Sequence, residues 1–110
     1  MNKIEKLIAK KGFVIADGAT GTNLFSMGLD SGHPPELWNI EFPERVFHNH
    51  KNFIDAGSDL ILTNSFGANR FRLALHKAEH QVHELNFEAA SIARKAVSYT
   101  HLTLPTIYSV

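Results

Sequence analysis

Apolar positions recur three and four apart in three stretches of the chain and run unbroken in two others. Ile4, Leu7 and Ile8 share one helical face. Asn2 and Glu5 stand where an N-cap and its reaching carboxylate would stand, and Gly12 falls at the C-cap. A short N-terminal helix is predicted. Phe13-Val14-Ile15-Ala16 follows without a polar interruption and ends at Asp17-Gly18. A continuous apolar run closed by glycine predicts a strand buried on both faces, as in parallel sheets. From Asn23 to Phe42 the pattern weakens, with Gly28, Gly32, Pro34 and Pro35 among the apolar residues. This predicts a long, partly helical loop with a short turn at Glu36-Leu37-Trp38-Asn39.

Pro43 occupies a favoured first-turn position, and Val46, Phe47, His50, Phe53 and Ile54 follow helical spacing up to Gly57. Asp59-Leu60-Ile61-Leu62-Thr63 is a second apolar run, and it enters a small polar loop, Asn64 to Asn69. Strand, helix and strand in this order predict a βαβ crossover. Both polar loops then fall on the same edge of a parallel sheet. Arg70 to Val97 keeps helical spacing through Leu75, Ala78, Val82, Leu85, Ala89, Ile92, Ala93 and Ala96, with room for a break. From Ser98 the period is lost and Pro105 interrupts the one strand-like run. Residues 98–110 resemble a translated adaptor and are set apart as a non-native tail. The alternative is a divergent edge strand at Leu102 to Leu104.

Composition narrows the classes. The chain has 110 residues, with 11 basic and 11 acidic side chains that cancel. That balance gives no reason to expect nucleic acid or an anionic membrane as partner. There is no cysteine, which excludes disulfides and thiolate metal sites within this sequence. No apolar run reaches the length of a membrane span, and the N-terminus lacks a signal-peptide core. A cytoplasmic location is the default expectation.

The candidate chemistry lies in the loops. Asp17 sits at the carboxyl end of the first strand, where parallel α/β folds place ligand-binding residues. Gly18-Ala19-Thr20-Gly21 leaves the main chain bare, so its amides are open to a small anionic group. The same pattern also fits an ordinary strand and glycine turn. Trp38 either packs the long loop down or lines a pocket. His50, on the apolar stripe, is expected to be a hydrogen-bonded core histidine. His76, His80 and His83 have a spacing compatible with zinc, but no carboxylate completes a motif. A helix flank at the surface is the preferred reading, and no metal site is assigned.

The stretches Asp17 to Thr22 (DGATGT), Pro35 to Asn39 (PELWN) and Ala56 to Leu73 (AGSDLILTNSFGANRFRL), in that order, resemble the start of the homocysteine S-methyltransferase family. The likeness covers Ile4 to Val97 and is strongest to bacterial betaine–homocysteine enzymes and to the homocysteine module of cobalamin-dependent methionine synthase. It implies an α/β fold: the N-terminal portion of a TIM (β/α)₈ barrel, about two βα units plus an N-terminal helix. A complete barrel needs roughly 250 residues, so residues 1–97 would be about a quarter of one.

The resemblance further implies methyl transfer from a donor to the thiol of homocysteine, giving methionine. The family's zinc makes the thiol reactive through cysteines of later strands. No catalytic residue is therefore expected in this segment, which alone would be inactive. Asp17 would accept from the substrate ammonium, the main chain of Gly18, Ala19 and Thr20 would face its carboxylate, and Asn64 and Phe66 would line the pocket. Trp38 is the candidate for a donor pocket, since aromatic faces suit a trimethylammonium group. The animal betaine enzyme has a tyrosine where this chain has Gly67. The donor stays open between betaine, a methylated amino acid and a folate or corrinoid route, the last bringing cobalamin or folate through other modules. Oligomerisation belongs to the full-length parent.

Two rivals stand beside this reading. One is another barrel enzyme that binds phosphate at the same loops. It would want a basic residue near the amides, and none lies between Phe13 and Ile40. The other is a small α/β interaction module that associates through its open sheet edge.

Overall fold

The structure, a computed structural model, describes residues 2–100. Helix α1 (Lys3–Lys11) is capped as its sequence predicts. Asn2 Oδ1 accepts from the Glu5 amide at 2.7 Å, and Asn2 Nδ2 donates to Glu5 Oε1 at 2.9 Å. Gly12, at φ 89°, ends the helix in the left-handed region that glycine enters without steric cost. The long loop holds more helix than its sequence predicts. It contains α2 (Thr20–Ser26), a 3₁₀ turn at Pro35–Leu37, and α3 (Trp38–Glu41). Helix α4 (Pro43–Asp55) begins with its proline at the first position, and Gly57 follows at φ 109°.

The predicted stretch from Arg70 to Val97 is broken. A short α5 (Arg70–Ala74) gives way to a 3₁₀ turn at Glu79–Gln81 and then to α6 (Val82–Thr100). Lys77, at φ 57°, turns the chain between them. Helix α6 continues past Val97, where sequence periodicity places the end of the regular segment. The remainder of the 98–110 tail, from residue 101, lies outside the described residues.

The two predicted strands are where the fold departs most from expectation. Neither Phe13–Ala16 nor Asp59–Thr63 forms a ladder among the described residues; they meet at an isolated parallel bridge, Ala16 to Leu60. The main chain adds Asp59 N to Ile15 O at 2.6 Å and Leu60 N to Ile15 O at 3.2 Å. Direction and crossover therefore agree with a βαβ unit, while the ladder is missing. Parallel strands rely on neighbours at both edges and cover on both faces. Here Phe13 is 54% exposed, Ile15 44% and Leu62 57%. Carboxylates occupy ends of the pairing: Ile15 N donates to Asp59 Oδ2 at 2.8 Å, and Lys11 bridges to the same carboxylate at 2.8 Å.

The core lies on α6. Leu24, Leu29, Trp38 and Val46 pack with Ile92 in one cluster. Ala68, Leu73 and Ala78 pack with Leu85 in a second. Buried alanines Ala89, Ala93 and Ala96 give α6 a low-relief face, and α4 lies along this helix. His50 is fully buried, but neither ring nitrogen has a hydrogen-bond partner, which corrects the expectation of a hydrogen-bonded histidine. No helix among the described residues is long and apolar enough to cross a membrane.

Candidate functional site

The bridge between residues 16 and 60 carries two loops to one side of the fold. Asp17 stands at the junction. Its carboxylate accepts from the Leu62 amide at 3.2 and 3.3 Å, an amide that a longer parallel ladder would hold on main chain. Partial burial raises the Asp17 carboxyl above the ordinary carboxylate value, and the amide bonds from Leu62 and from its own backbone pull the other way. Gly18 and Ala19 follow, both exposed. Ala19 is the N-cap of α2 at φ 52°, ψ 31°, a left-handed conformation that is unusual for a residue with a Cβ. Thr20 opens the helix.

Past these loops lies a cleft of about 490 Å³. Thr20 and Gly21 line it from the first loop, Asn64, Phe66 and Gly67 from the second, and Glu36 from the turn before α3. Arg72 and His76 complete the far wall, with His33 beside them. The Phe66 ring is 89% exposed, and the Arg72 guanidinium lies 5.9 Å from its centroid. Of the residues expected from sequence, the cleft brings together Thr20, Asn64 and Phe66. Asp17 is tied to the second loop through Leu62 but does not line this cleft, and neither do Gly18 or Ala19. Trp38 is away from it. The ring is 3% exposed, packs in the core and carries Arg45 at 4.9 Å from its centroid, so its place is the packing one of the two that its sequence allows.

The second loop is held from beneath by the Pro35–Asn39 turn. Asn64 Nδ2 donates to Pro35 O at 2.9 Å and to Asn39 Oδ1 at 3.0 Å. Asn39 Nδ2 returns bonds to Asn64 O at 2.9 Å and to Leu85 O of α6 at 3.1 Å. Glu36 is 7% exposed, and its Oε2 accepts from the Gly67 amide at 2.9 Å. A Cβ on Gly67 would lie 3.2 Å from Glu36 Oε1, so glycine is what lets the carboxylate come this close. Sequence reasoning missed Glu36, Asn39 and Arg72 as members of this region. The adjacency of Pro35-Glu36 and Asn39 in one motif was the available signal for the first two. Arg72 lies inside the Ala56–Leu73 motif, beyond the Phe13–Ile40 span in which a basic group was expected.

Zinc is implied by the resemblance, and the described residues do not fit it. Among the described residues no group of three or more His, Cys, Asp or Glu is placed to hold a metal ion, and the sequence has no cysteine. His76, His80 and His83 form no such group. What this chain offers chemically is a largely apolar cleft with Glu36, Asn64 and Arg72 on its wall.

The sequence profile described as homocysteine S-methyltransferase matches residues 14–108, and so runs into the 98–110 segment. Methionine synthase of Mycobacterium tuberculosis is 29% identical over 90 residues, which are 74% of this chain and 7% of that protein. The solved homocysteine methyltransferase MmuM from Escherichia coli is similar in its metallated form with a TM-score of 0.75 and 27% identity, over 90% of this chain and 35% of that one. Its oxidized form gives 0.76 and 27%, over 91% and 35%. The chain thus spans about a third of the solved relatives it matches.

Proposed function

The chain belongs to the homocysteine S-methyltransferase family, and from that premise we propose that its two loops hold the amino-acid end of homocysteine during methyl transfer to the thiol. In this reading the segment is the first part of a (β/α)₈ barrel, and the groups that activate the sulfur come from outside it. Asp17 accepts from the substrate ammonium. The main chain of Gly18, Ala19 and Thr20 faces the substrate carboxylate, and Asn64 and Phe66 border the bound chain. Fixing that end restricts where the sulfur can lie, which is catalysis by positioning.

The observation that supports this most is the junction of the loops: the Ala16–Leu60 bridge with the Asp17 carboxylate on the Leu62 amide. It puts an acidic group and an open cleft side by side on one edge. Asp17→Asn, made in the complete protein that carries this segment, is expected to weaken homocysteine binding about tenfold or more, since hydrogen bonds to charged groups contribute roughly 1.5–3 kcal/mol. Calorimetric titration reads it, and unchanged affinity would reject the role. Arg72 in the cleft favours a second reading, a phosphate ligand at the same loops. Inorganic phosphate that binds more tightly than homocysteine would select it.

A further inference from the structure

We propose that Glu36 is the positioning residue of the cleft: its carboxylate holds the Asn64–Gly67 loop, and with it Asn64 and Phe66, in the arrangement that receives the substrate. The inference rests on the homocysteine reading above and adds a residue that the reading does not use.

The geometry carries it. Glu36 is buried to 7% exposure at the edge of the cleft, a placement that carboxylates rarely take without a specific partner. Its partner is the Gly67 amide at 2.9 Å. The loop turns between Asn64 and Ala68, with Ala68 N bonded to Ser65 O at 3.0 Å. Asn64 is fixed at one end by Asn39 and Pro35, and Gly67 is fixed at the other by Glu36. Phe66 lies between these two anchors with its ring in solvent, so its position is set by them. Releasing the Glu36 anchor loosens the Phe66–Gly67 step, while Asn64 stays held by Asn39 and Pro35 and Ala68 stays buried with its carbonyl accepting from Asn86 Nδ2 at 2.8 Å. The contact is also steric: a methyl at 67 would push the carboxylate by a few tenths of an ångström, because both its oxygens lie 3.2–3.3 Å from the Cβ position.

A positioning role differs from a charge role in what rescues it. Glutamine keeps an oxygen that accepts from the Gly67 amide, whereas alanine does not. In the complete protein, Glu36→Ala is expected to raise the homocysteine dissociation constant about tenfold, and Glu36→Gln to stay within about threefold of wild type. Gly67→Ala, which presses on the same carboxylate, is expected to weaken binding in the same direction and by less. The double variant should then be little worse than Glu36→Ala alone, because both act through one contact. Amide hydrogen exchange over residues 64–68 should quicken in Glu36→Ala and stay near wild type in Glu36→Gln. If Glu36→Ala does not fold, the Gly67→Ala and Glu36→Gln variants decide. Gln as damaging as Ala, additive effects in the double variant, or affinity untouched by both Glu36→Ala and Gly67→Ala would each overturn the inference. Wild-type protein that binds no homocysteine would instead reject the functional reading itself.

Discussion

His50 is fully enclosed, and both of its ring nitrogens lack a partner. Burial lowers its pKa to about 4, so the folded chain keeps it neutral where an unfolded chain would protonate it. The associated stability is full above the unfolded value near 6.5 and is lost as pH falls towards 4. Between pH 7.5 and 5 the loss is about 2 kcal/mol by linkage. Urea denaturation of the complete protein that carries this segment, at the two pH values, should show this loss in wild type and its disappearance in His50→Leu. Asp17 has the opposite sign. Its folded value is raised, so ionisation works against folding, and Asp17→Asn should leave stability at pH 7 undiminished while it weakens ligand binding. Ala19 stores local strain at φ 52°. Ala19→Gly is expected to stabilise the fold by about 1 kcal/mol, read by the same denaturation measurement.

Helices were legible in the sequence because their signals are local. Asn2, Glu5 and Gly12 bound α1, and Pro43 opens α4, each through contacts within a few residues. Strands were legible only as apolar runs. Whether such a run becomes a ladder depends on neighbours that local pattern does not report, and between these two runs the result is a single bridge with exposed Phe13, Ile15 and Leu62. The break at Lys77 was allowed by the spacing but not placed by it. The candidate site divides the same way. Thr20, Asn64 and Phe66 follow directly after the apolar runs, so their location at one edge follows from the predicted crossover. The burial of Glu36 depends on a bond to Gly67, 31 residues on, and leaves no periodic trace. The Asn39–Asn64 pair ties α3, the second loop and α6 together. Asn39→Ala removes both bonds between the two asparagines and leaves the Asn64 carbonyl without its Asn39 donor, and should cost roughly 1–3 kcal/mol by urea unfolding of the complete protein that carries this segment.

On the scale of the whole molecule, two features define the chain. One is a helical core gathered on α6, and the other is an apolar edge at the paired segments, where Phe13, Ile15 and Leu62 are exposed. Exposed apolar edges promote association. The isolated chain is therefore expected to unfold with weak cooperativity and to self-associate. A soluble monomer with a cooperative transition of several kcal/mol would contradict that expectation. What is proposed of the complete protein is narrower: that the loop after Ala16 recognises the ammonium of homocysteine through Asp17. It is tested most directly by comparing homocysteine with 4-mercaptobutanoate, the same molecule without its amino group, on the complete protein and its Asp17→Asn variant. Wild type should prefer homocysteine about tenfold or more, as a charged hydrogen bond implies, and the variant should lose that preference. Equal binding of the two ligands by wild type, or a preference that survives Asp17→Asn, would contradict the account.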